Sequence, residues 1–537
     1  MPLIPNDSAL KSENQGPEEE EGFGYDMKTY NKYKWFLFFT RKYKINDLVP
    51  PLDLKEAFSE FAGGETRLSG EQLRRFLVEL QGHEDCTLSE SEQIIDKILK
   101  LRSRNHETSG GGDHHQHGLT LEDVFYFLLF DDFNSPLKAE VSSLSLSSLS
   151  FCVFGHNSYL TGNQLSSDCS DEPIIKALQR GVRAIELDLW PTPNKDDIKV
   201  VHGWTLTNPV SPIKCLEAIK KNAFVTSQYP VIVTIEDHLT PDLQSKFAEN
   251  GSDKDKESIN ACDHKSDQQC PPDYKGLITI HAKKLKGSLK DKLRIDDEVR
   301  RLSWNEQTLE KASESHGTDI VRFTQKNILR VYPRGTRVQS SNFKPHIGWM
   351  YGAQMVAFNM QRHDKQLWLM QGMFRANGGC GYVKKPQIVM QKLQNDEEFD
   401  PKRTLPVKKT LKVKVYLGYG WSTDFKPTHF DKCSPPDFYT KVRIVGVPAD
   451  CGKRKTRVKM DNWFPVWDEE FEFPLSVPEL ALLRIVVREK NQGKDEFGGQ
   501  TCLPVSELRL GFRAVPLYNR KGEKYKSVKL LMRFQFV

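Results

Sequence analysis

The sequence predicts a multidomain α+β protein, and three observations carry that prediction. Helical periodicity dominates up to about residue 137. Apolar runs of strand length then alternate with helical segments to about residue 390. From about residue 405 to the end the pattern shortens to alternating strands and turns. With 537 residues the chain is also too long for a single hydrophobic core.

Residues 1–26 are polar and acidic, the composition of a disordered tail, and lack the basic and apolar stretches of a secretory signal. Residues 27–137 read as an EF-hand-like helical region, with patterns such as Leu54-Lys55-Glu56-Ala57-Phe58 and Leu121-Glu122-Asp123-Val124-Phe125. A calcium loop of that type needs acidic oxygens at alternate positions. The stretch Ala62 to Leu68 does not supply them, so a helical scaffold is expected rather than a calcium sensor. Gly110 to His117 reads as a flexible loop with incidental histidines.

Residues 138–249 contain four apolar runs that each end in chemistry-bearing residues. Phe151 to Phe154 leads to His156 and Asn157, and Val182 to Ile185 to Glu186 and Asp188. Ile198 to Val201 leads to His202, and Val231 to Ile235 to Glu236. In a parallel β/α barrel the strand C-termini share one face, where such residues converge. Residues 250–273 are a polar linker; Cys262, His264 and Cys270 lie in it without the fourth ligand and spacing of a zinc site. Residues 274–390 supply three more runs, Leu277 to Ile280, Ile328 to Tyr332 and Met355 to Phe358. That makes seven where a closed barrel has eight. Residues 391–537 read as an antiparallel β-sandwich, bracketed by Leu411 to Tyr416 and Leu530 to Phe536.

A net charge of +5 with 28% charged residues excludes a dedicated nucleic-acid binder. No apolar run reaches the roughly 18 residues of a membrane span. Ten cysteines without a dense spacing pattern fit reduced thiols in a cytoplasmic protein, so any membrane contact is expected to be peripheral.

Glu186 and Asp188 stand two apart on a strand and share a face. With Asn157 and Glu236 they form an all-oxygen set that suits Ca2+ better than tetrahedral zinc. His156 and His202 then remain for acid–base work on a phosphate. Any one of these residues alone would read as a satisfied core group; six at four strand ends do not.

The string GHNSYLTGNQLSSDCSDEPIIKALQRGVRAIELDLW, with VHGWTL and TIEDHLTPDL, resembles the X half of a plant phosphoinositide-specific phospholipase C. VRRLSWNEQTLEKASESHGTDIVRFTQKNILRVYPRGTRVQSSNF, with GAQMVAFNMQ and MFRANGGCGYVKKP, resembles its Y half. LKVKVYLGYGW, HFDKCSPPDFYTKV and NWFPVWDEEFEF resemble its C2 domain. The resemblance implies a TIM-type barrel split into X and Y halves. It implies calcium-dependent cleavage of phosphatidylinositol 4,5-bisphosphate to inositol trisphosphate and diacylglycerol, on the cytoplasmic face of the plasma membrane. His156 would stabilise the pentavalent phosphoryl group and His202 protonate the leaving oxygen. Asn157, Glu186, Asp188 and Glu236 would hold calcium, with Glu236 also the base. Ser303 and Arg330 match positions that hold ring phosphates, and Tyr332 the ring face.

Two departures follow. The helix and strand that carry a phosphate-binding lysine in the family are absent after TIEDHLTPDL, and Lys283 or Lys284 would partly replace that charge. In the C2 domain Asp431 and Asp437 fit the first calcium loop. The third loop keeps Glu489 but has Asn491 and Glu496 where aspartates are usual, so its calcium binding is expected to be weak. Lys453, Arg454, Lys455 and Arg457 form a basic cluster suited to anionic lipid. Two readings stand: an enzyme of low or narrowed activity, and a catalytically weak relative that binds phosphoinositides or unknown protein partners.

Overall fold

The structure, a computed structural model, describes residues 30–36, 39–44, 48–106, 117–130, 134–137, 150–251, 270–280, 287–295, 299–393 and 396–537. The acidic tail, nearly all of the Gly110–His117 stretch, most of the polar linker, and Lys283 and Lys284 lie outside these residues.

Strands β1 (Tyr30–Phe36) and β2 (Phe39–Lys44) pair as a two-stranded sheet, where helix was expected. The segment is rich in Tyr, Trp and Phe alternating with Lys, which favours a pleated strand over a helical stripe. Residues 49–127 form a compact unit of helices, beginning with Leu52–Ala62 and Gly70–Arg75, the latter opened by a reciprocal Ser69–Gln72 cap. Leu68 and Leu119 exchange backbone hydrogen bonds of 2.8 and 3.0 Å, tying two loops together over buried Leu54, Leu73, Phe76 and Val124.

The second unit carries the expected β/α and all-β parts. Its first sheet holds eight strands: β3 (Ser150–Gly155), β4 (Ala184–Pro191), β5 (Ile198–Val200), β6 (Ile232–Asp237), β7 (Arg301–Asn305), β8 (Ile328–Tyr332), β9 (Met355–Phe358) and β10 (Tyr382–Lys384). Six run parallel in the order β6-β4-β3-β9-β8-β7. β5 and β10 are antiparallel additions on β4 and β3. Among the described residues β6 and β7 are not paired, and six parallel strands stand where a closed barrel has eight.

Three readings of the barrel change accordingly. The run ending at His202 is not a barrel strand: β5 folds back on β4 as a hairpin, with Leu189 opposite Val200. Leu277 to Ile280 is not a strand either. Leu277 caps the short helix Pro272–Gly276, and with Ile278 it packs on the barrel core. A short apolar run does not by its pattern separate a strand from a buried turn. Conversely Arg301–Asn305 is a strand although Arg300 and Arg301 open it; both are buried, at 4% and 2% exposure.

The C-terminal part is an eight-stranded antiparallel sheet closing on itself as a sandwich. Its strands are β11 (Lys409–Tyr419), β12 (Phe438–Val445), β13 (Gly452–Lys455), β14 (Val466–Leu475), β15 (Leu482–Glu489), β16 (Glu496–Pro504), β17 (Gly511–Tyr518) and β18 (Lys524–Phe536). They are ordered β13-β12-β15-β16-β17-β18-β11-β14 around a core that includes Trp421 and Trp467. Helix Lys365–Met373 of the barrel lies against β16: Trp368 Nε1 donates to the Arg520 carbonyl at 2.9 Å, and Arg375 to Thr501 Oγ1 at 2.8 Å.

Candidate active site

A cavity of about 780 Å³ lies at the C-terminal ends of the parallel strands, with walls contributed by residues from β4, β6, β7 and β8 and from the segment after β3. Its position follows from parallel pairing: every strand of such a sheet points its carboxyl end the same way.

The turn after β3 is tight. A Cβ at Gly155 would lie 2.7 Å from Ser158 Oγ, and Asn157 takes a left-handed φ of 43°, which asparagine tolerates better than most residues. The Asn157 amide N–H donates to Glu186 Oε2 at 3.2 Å, and its Nδ2 donates to Gln164 Oε1 at 2.9 Å, so its side-chain oxygen is the atom that could serve as a ligand.

Glu186, Asp188 and Glu236 each offer a carboxylate oxygen within 4.8 Å of the other two, and they are the only such trio among the described residues. Register explains the convergence, since Asp188 on β4 sits opposite Glu236 on β6. Burial holds the Asp188 carboxyl well above the usual carboxylate range, reinforced by the charges of Glu236 and Glu186. Tyr159 Oη donates to Asp188 Oδ2 at 2.6 Å, whereas Oδ1 is buried with no hydrogen-bond partner. An orphaned carboxylate oxygen inside a ring of like charge fits a hard cation with oxygen ligands.

Both histidines are held by their Nδ1 atoms. His202 Nδ1 lies 2.6 Å from the Gln164 carbonyl oxygen and His156 Nδ1 lies 3.1 Å from Asn359 Oδ1. A carbonyl oxygen only accepts, so each Nδ1 carries a proton and each Nε2 is the atom left for exchange. Burial lowers the proton affinity of His156, opposed by the nearby Glu186 charge. The same Gln164 ties the two together, because its Nε2 donates to Asn359 Oδ1 at 3.0 Å. Gln164 and Asn359 gave no separate sequence signal of their roles. Asn359 does directly follow the apolar run Met355–Phe358, as the other site residues follow theirs.

Arg330 on β8 donates to Ser303 Oγ at 2.9 Å and forms a close ion pair with Glu186, while its guanidinium lies 4.8 Å from the Tyr332 ring centre. Ser303, Arg330 and Tyr332 thus line one wall of the cavity. The Glu186–Arg330 pair also means that one expected metal ligand and one expected phosphate ligand are joined to each other. Lys283 lies outside the described residues.

In the sandwich, Asp431 and Asp437 line a second cavity with Asn491, Lys490 and Lys494. Glu489 is 1% exposed and accepts from Asn491 Nδ2 at 2.8 Å. Burial pushes its carboxyl up to about 7, with Glu496 the next cause. Glu496 itself is exposed at the start of β16 and does not line the cavity.

Comparison with known proteins bears on all three regions. Residues 147–284 match the family model for the phosphatidylinositol-specific phospholipase C X domain, 276–388 that for its Y domain, and 409–519 that for the C2 domain. Phosphoinositide phospholipase C 6 of Arabidopsis thaliana is 48% identical over 97% of this chain and 99% of its own length. Phosphoinositide phospholipase C 4 of the same plant is 46% identical over 95% and 99%. The alignment with the first spans 618 positions, more than the 537 residues here, so that relative holds segments this chain lacks. Among solved structures, S. officinalis PLC21 shares the fold with a TM-score of 0.74 at 24% identity, over 91% of this chain and 68% of its own. On the extent and identity of these matches, the chain belongs to the phosphoinositide-specific phospholipase C family.

Proposed function

We propose that the chain is a phosphoinositide phospholipase C that hydrolyses phosphatidylinositol 4,5-bisphosphate to inositol 1,4,5-trisphosphate and diacylglycerol in signalling. The observation that carries the reading is the pair of histidines, each anchored through Nδ1, facing one cavity with the carboxylate trio. Relatives named phosphoinositide phospholipase C over nearly the full length support it. Intact His156 and His202 favour the enzyme over the binding-protein reading.

In this reading Glu236 accepts the proton of the inositol 2-hydroxyl, whose oxygen attacks the 1-phosphate. His156 donates from Nε2 to a non-bridging oxygen as charge accumulates there, a role that needs the ring protonated on both nitrogens and that the nearby Glu186 charge favours against burial. His202, acting as the imidazolium with a second proton on Nε2, delivers that proton to the diacylglycerol oxygen as the P–O bond breaks, leaving a cyclic phosphodiester and a neutral ring. Reversing the proton transfers then lets water open that ring. Asn157, Glu186, Asp188 and Glu236 are the residues that would hold calcium, which when bound lowers the hydroxyl pKa and offsets phosphoryl charge. Ser303, Arg330 and Tyr332 would meet the inositol ring and its phosphates.

The substrate sits in a membrane, and the rim suits that. Trp204, which lines the cavity, is 94% exposed, and Leu206, two residues further along the loop after His202, is 78% exposed. No helix among the described residues is long and apolar enough to cross a bilayer, so we infer peripheral attachment at the cytoplasmic face of the plasma membrane. On the sandwich, Lys441 stands opposite Lys455 and Arg443 opposite Lys453 across β12 and β13. Like charges facing across strands repel, a cost that anionic lipid would offset. With Lys490 and Lys494 in the third loop, attachment rests more on charge than on calcium at this domain.

The test is inositol phosphate release from vesicles containing phosphatidylinositol 4,5-bisphosphate, with calcium or with chelator. The chain is expected to be active only with calcium, and His156→Ala to lose at least about a hundredfold. Equal release by the wild-type chain and His156→Ala would refute the assignment, and release by neither would leave the binding-protein reading.

A further inference from the structure

The sandwich carries a row of cations where its sheet meets the barrel. Val442, Ile444, Leu483 and Ile485 belong to the sandwich core, so Arg443 on β12 and Arg484 on β15 lie on the other face of the sheet. The two arginines stand directly opposite each other, and Lys453 on β13 flanks Arg443 on its other side. Three cations thus lie abreast on three adjacent strands. On the same face Val445, Leu482 and Val486 belong to the hydrophobic cluster of the barrel, so the row borders the junction of the two layers. The Arg484 guanidinium lies 5.7 Å from the ring centre of Trp368, on the barrel helix Lys365–Met373.

Like charges directly opposite on a sheet repel. Elsewhere on the sandwich cations are answered by carboxylates: Lys408 by Glu479, Arg457 by Glu469 and Lys490 by Asp495. Among the described residues Arg443, Lys453 and Arg484 have no carboxylate partner. Arg484 Nε is moreover buried with no hydrogen-bond partner, and so is Nδ1 of His346 on the barrel. A buried donor in that state points to a bound ion or ligand. The positive field reaches His346 as well: burial, then the charges of Lys344 and Arg443, bring its pKa down to about 4. None of these residues lines the catalytic cavity. A phosphate group fits such a place, since it brings between one and two negative charges and three acceptor oxygens to two planar guanidinium forks.

We propose that the junction of barrel and sandwich holds a second anion site, in which Arg443 and Arg484, flanked by Lys453, bind a phosphate group of an inositol polyphosphate, free or lipid-borne. The site is separate from the catalytic cavity and does not depend on the chemistry assigned there. It differs from a general attraction of the sandwich to anionic lipid in requiring one face of the sheet. Arg443 and Lys453 are exposed and form the entrance, while the half-buried Arg484 lies behind them against Trp368.

The experiment uses the full-length chain with calcium chelated. Calorimetry measures binding of soluble inositol hexakisphosphate, and sedimentation measures binding to phosphatidylcholine vesicles with or without phosphatidylinositol 4,5-bisphosphate. Arg443→Gln and Arg484→Gln are compared with Arg454→Gln, which removes the same charge from the same domain on the opposite face: Arg454 stands opposite Val442 and lies 5.8 Å from the Phe473 ring centre. Arg443 is exposed, so its variant keeps the test decisive if Arg484→Gln does not fold. The wild-type chain is expected to bind the hexakisphosphate, Arg443→Gln to bind it at least about tenfold more weakly, and Arg454→Gln to match wild type. If only the vesicles bind, and Arg443→Gln loses that binding while Arg454→Gln keeps it, the site stands with a lipid-borne phosphate. Binding unchanged in Arg443→Gln, or lost equally in Arg454→Gln, overturns the proposal. So does a wild-type chain that binds neither probe.

Discussion

Glu236 is held from behind. His238 Nε2 lies 2.9 Å from Glu236 Oε1, and the His238 ring stacks on Trp190 with centres 3.8 Å apart and planes 17° from parallel. Trp190 in turn rests on the backbone beside the other catalytic candidate, since a Cβ at Gly203 would lie 2.1 Å from its indole. One indole therefore backs both the His202 loop and the residue that steadies Glu236. Replacing His238 with leucine removes a hydrogen bond to a charged group, about 1.5–3 kcal/mol. We expect kcat to fall tenfold or more with KM little changed, and His238→Gln, whose amide can still donate, to recover much of it. Steady-state kinetics on vesicles check this, and an equal loss in both variants would argue against positioning. At this scale the sequence was partly legible. His156, His202 and the carboxylates announce themselves by following apolar runs. Gln164 and Asn359 work through hydrogen bonds that span 38 to 203 residues along the chain, and no local pattern encodes such a contact.

Among the elements, helix Gly317–Lys326 shows how a buried charge is tolerated for its hydrogen bonds. Lys385, 2% exposed just past β10, donates from Nζ to the Thr324 carbonyl near the helix C-terminus at 2.5 Å. Burial lowers its pKa to about 7. An unfolded lysine titrates near 10.4, so between about pH 7 and 10 the unfolded chain binds a proton that the folded chain lacks. This group's contribution to stability therefore rises with pH across that window and is flat below it. Lys385→Met removes the dependence, and Thr324 stays satisfied because Gln354 Nε2 also donates to it at 3.0 Å. The variant is expected to be more stable than wild type below pH 7, by an amount that shrinks toward pH 10; thermal melts across the window measure it. A constant difference would contradict the assignment. Elements were legible where period and polarity agreed, as in β3, β4 and β8. They were not where a strand opened on buried arginines (β7), where a hairpin return mimicked a barrel strand (β5), or where an apolar run closed a helix (Leu277).

For the molecule as a whole, the barrel and the sandwich are joined through a glycine. Gly372, on the helix Lys365–Met373, sits so close to β16 that a Cβ there would lie 2.3 Å from Cys502 Cβ and 2.8 Å from its carbonyl oxygen. On either side the Trp368 indole reaches Arg520, and the Arg375 guanidinium lies 3.7 Å from the Tyr518 ring centre. A side chain at 372 has nowhere to go, because Cys502 is fully buried where β16 meets the barrel helix. Gly372→Val must therefore separate the two layers or strain both, at about 1–3 kcal/mol for overpacking. The sandwich is the lipid-facing part in the proposed function and the barrel the chemical part, so a loosened joint should uncouple them. The expected result is a larger fall in activity on vesicles than on a short-chain water-soluble phosphoinositide, together with two calorimetric transitions in place of one. If both substrates lose activity alike and unfolding stays a single transition, the contact serves stability alone, and the membrane geometry of the barrel is set elsewhere.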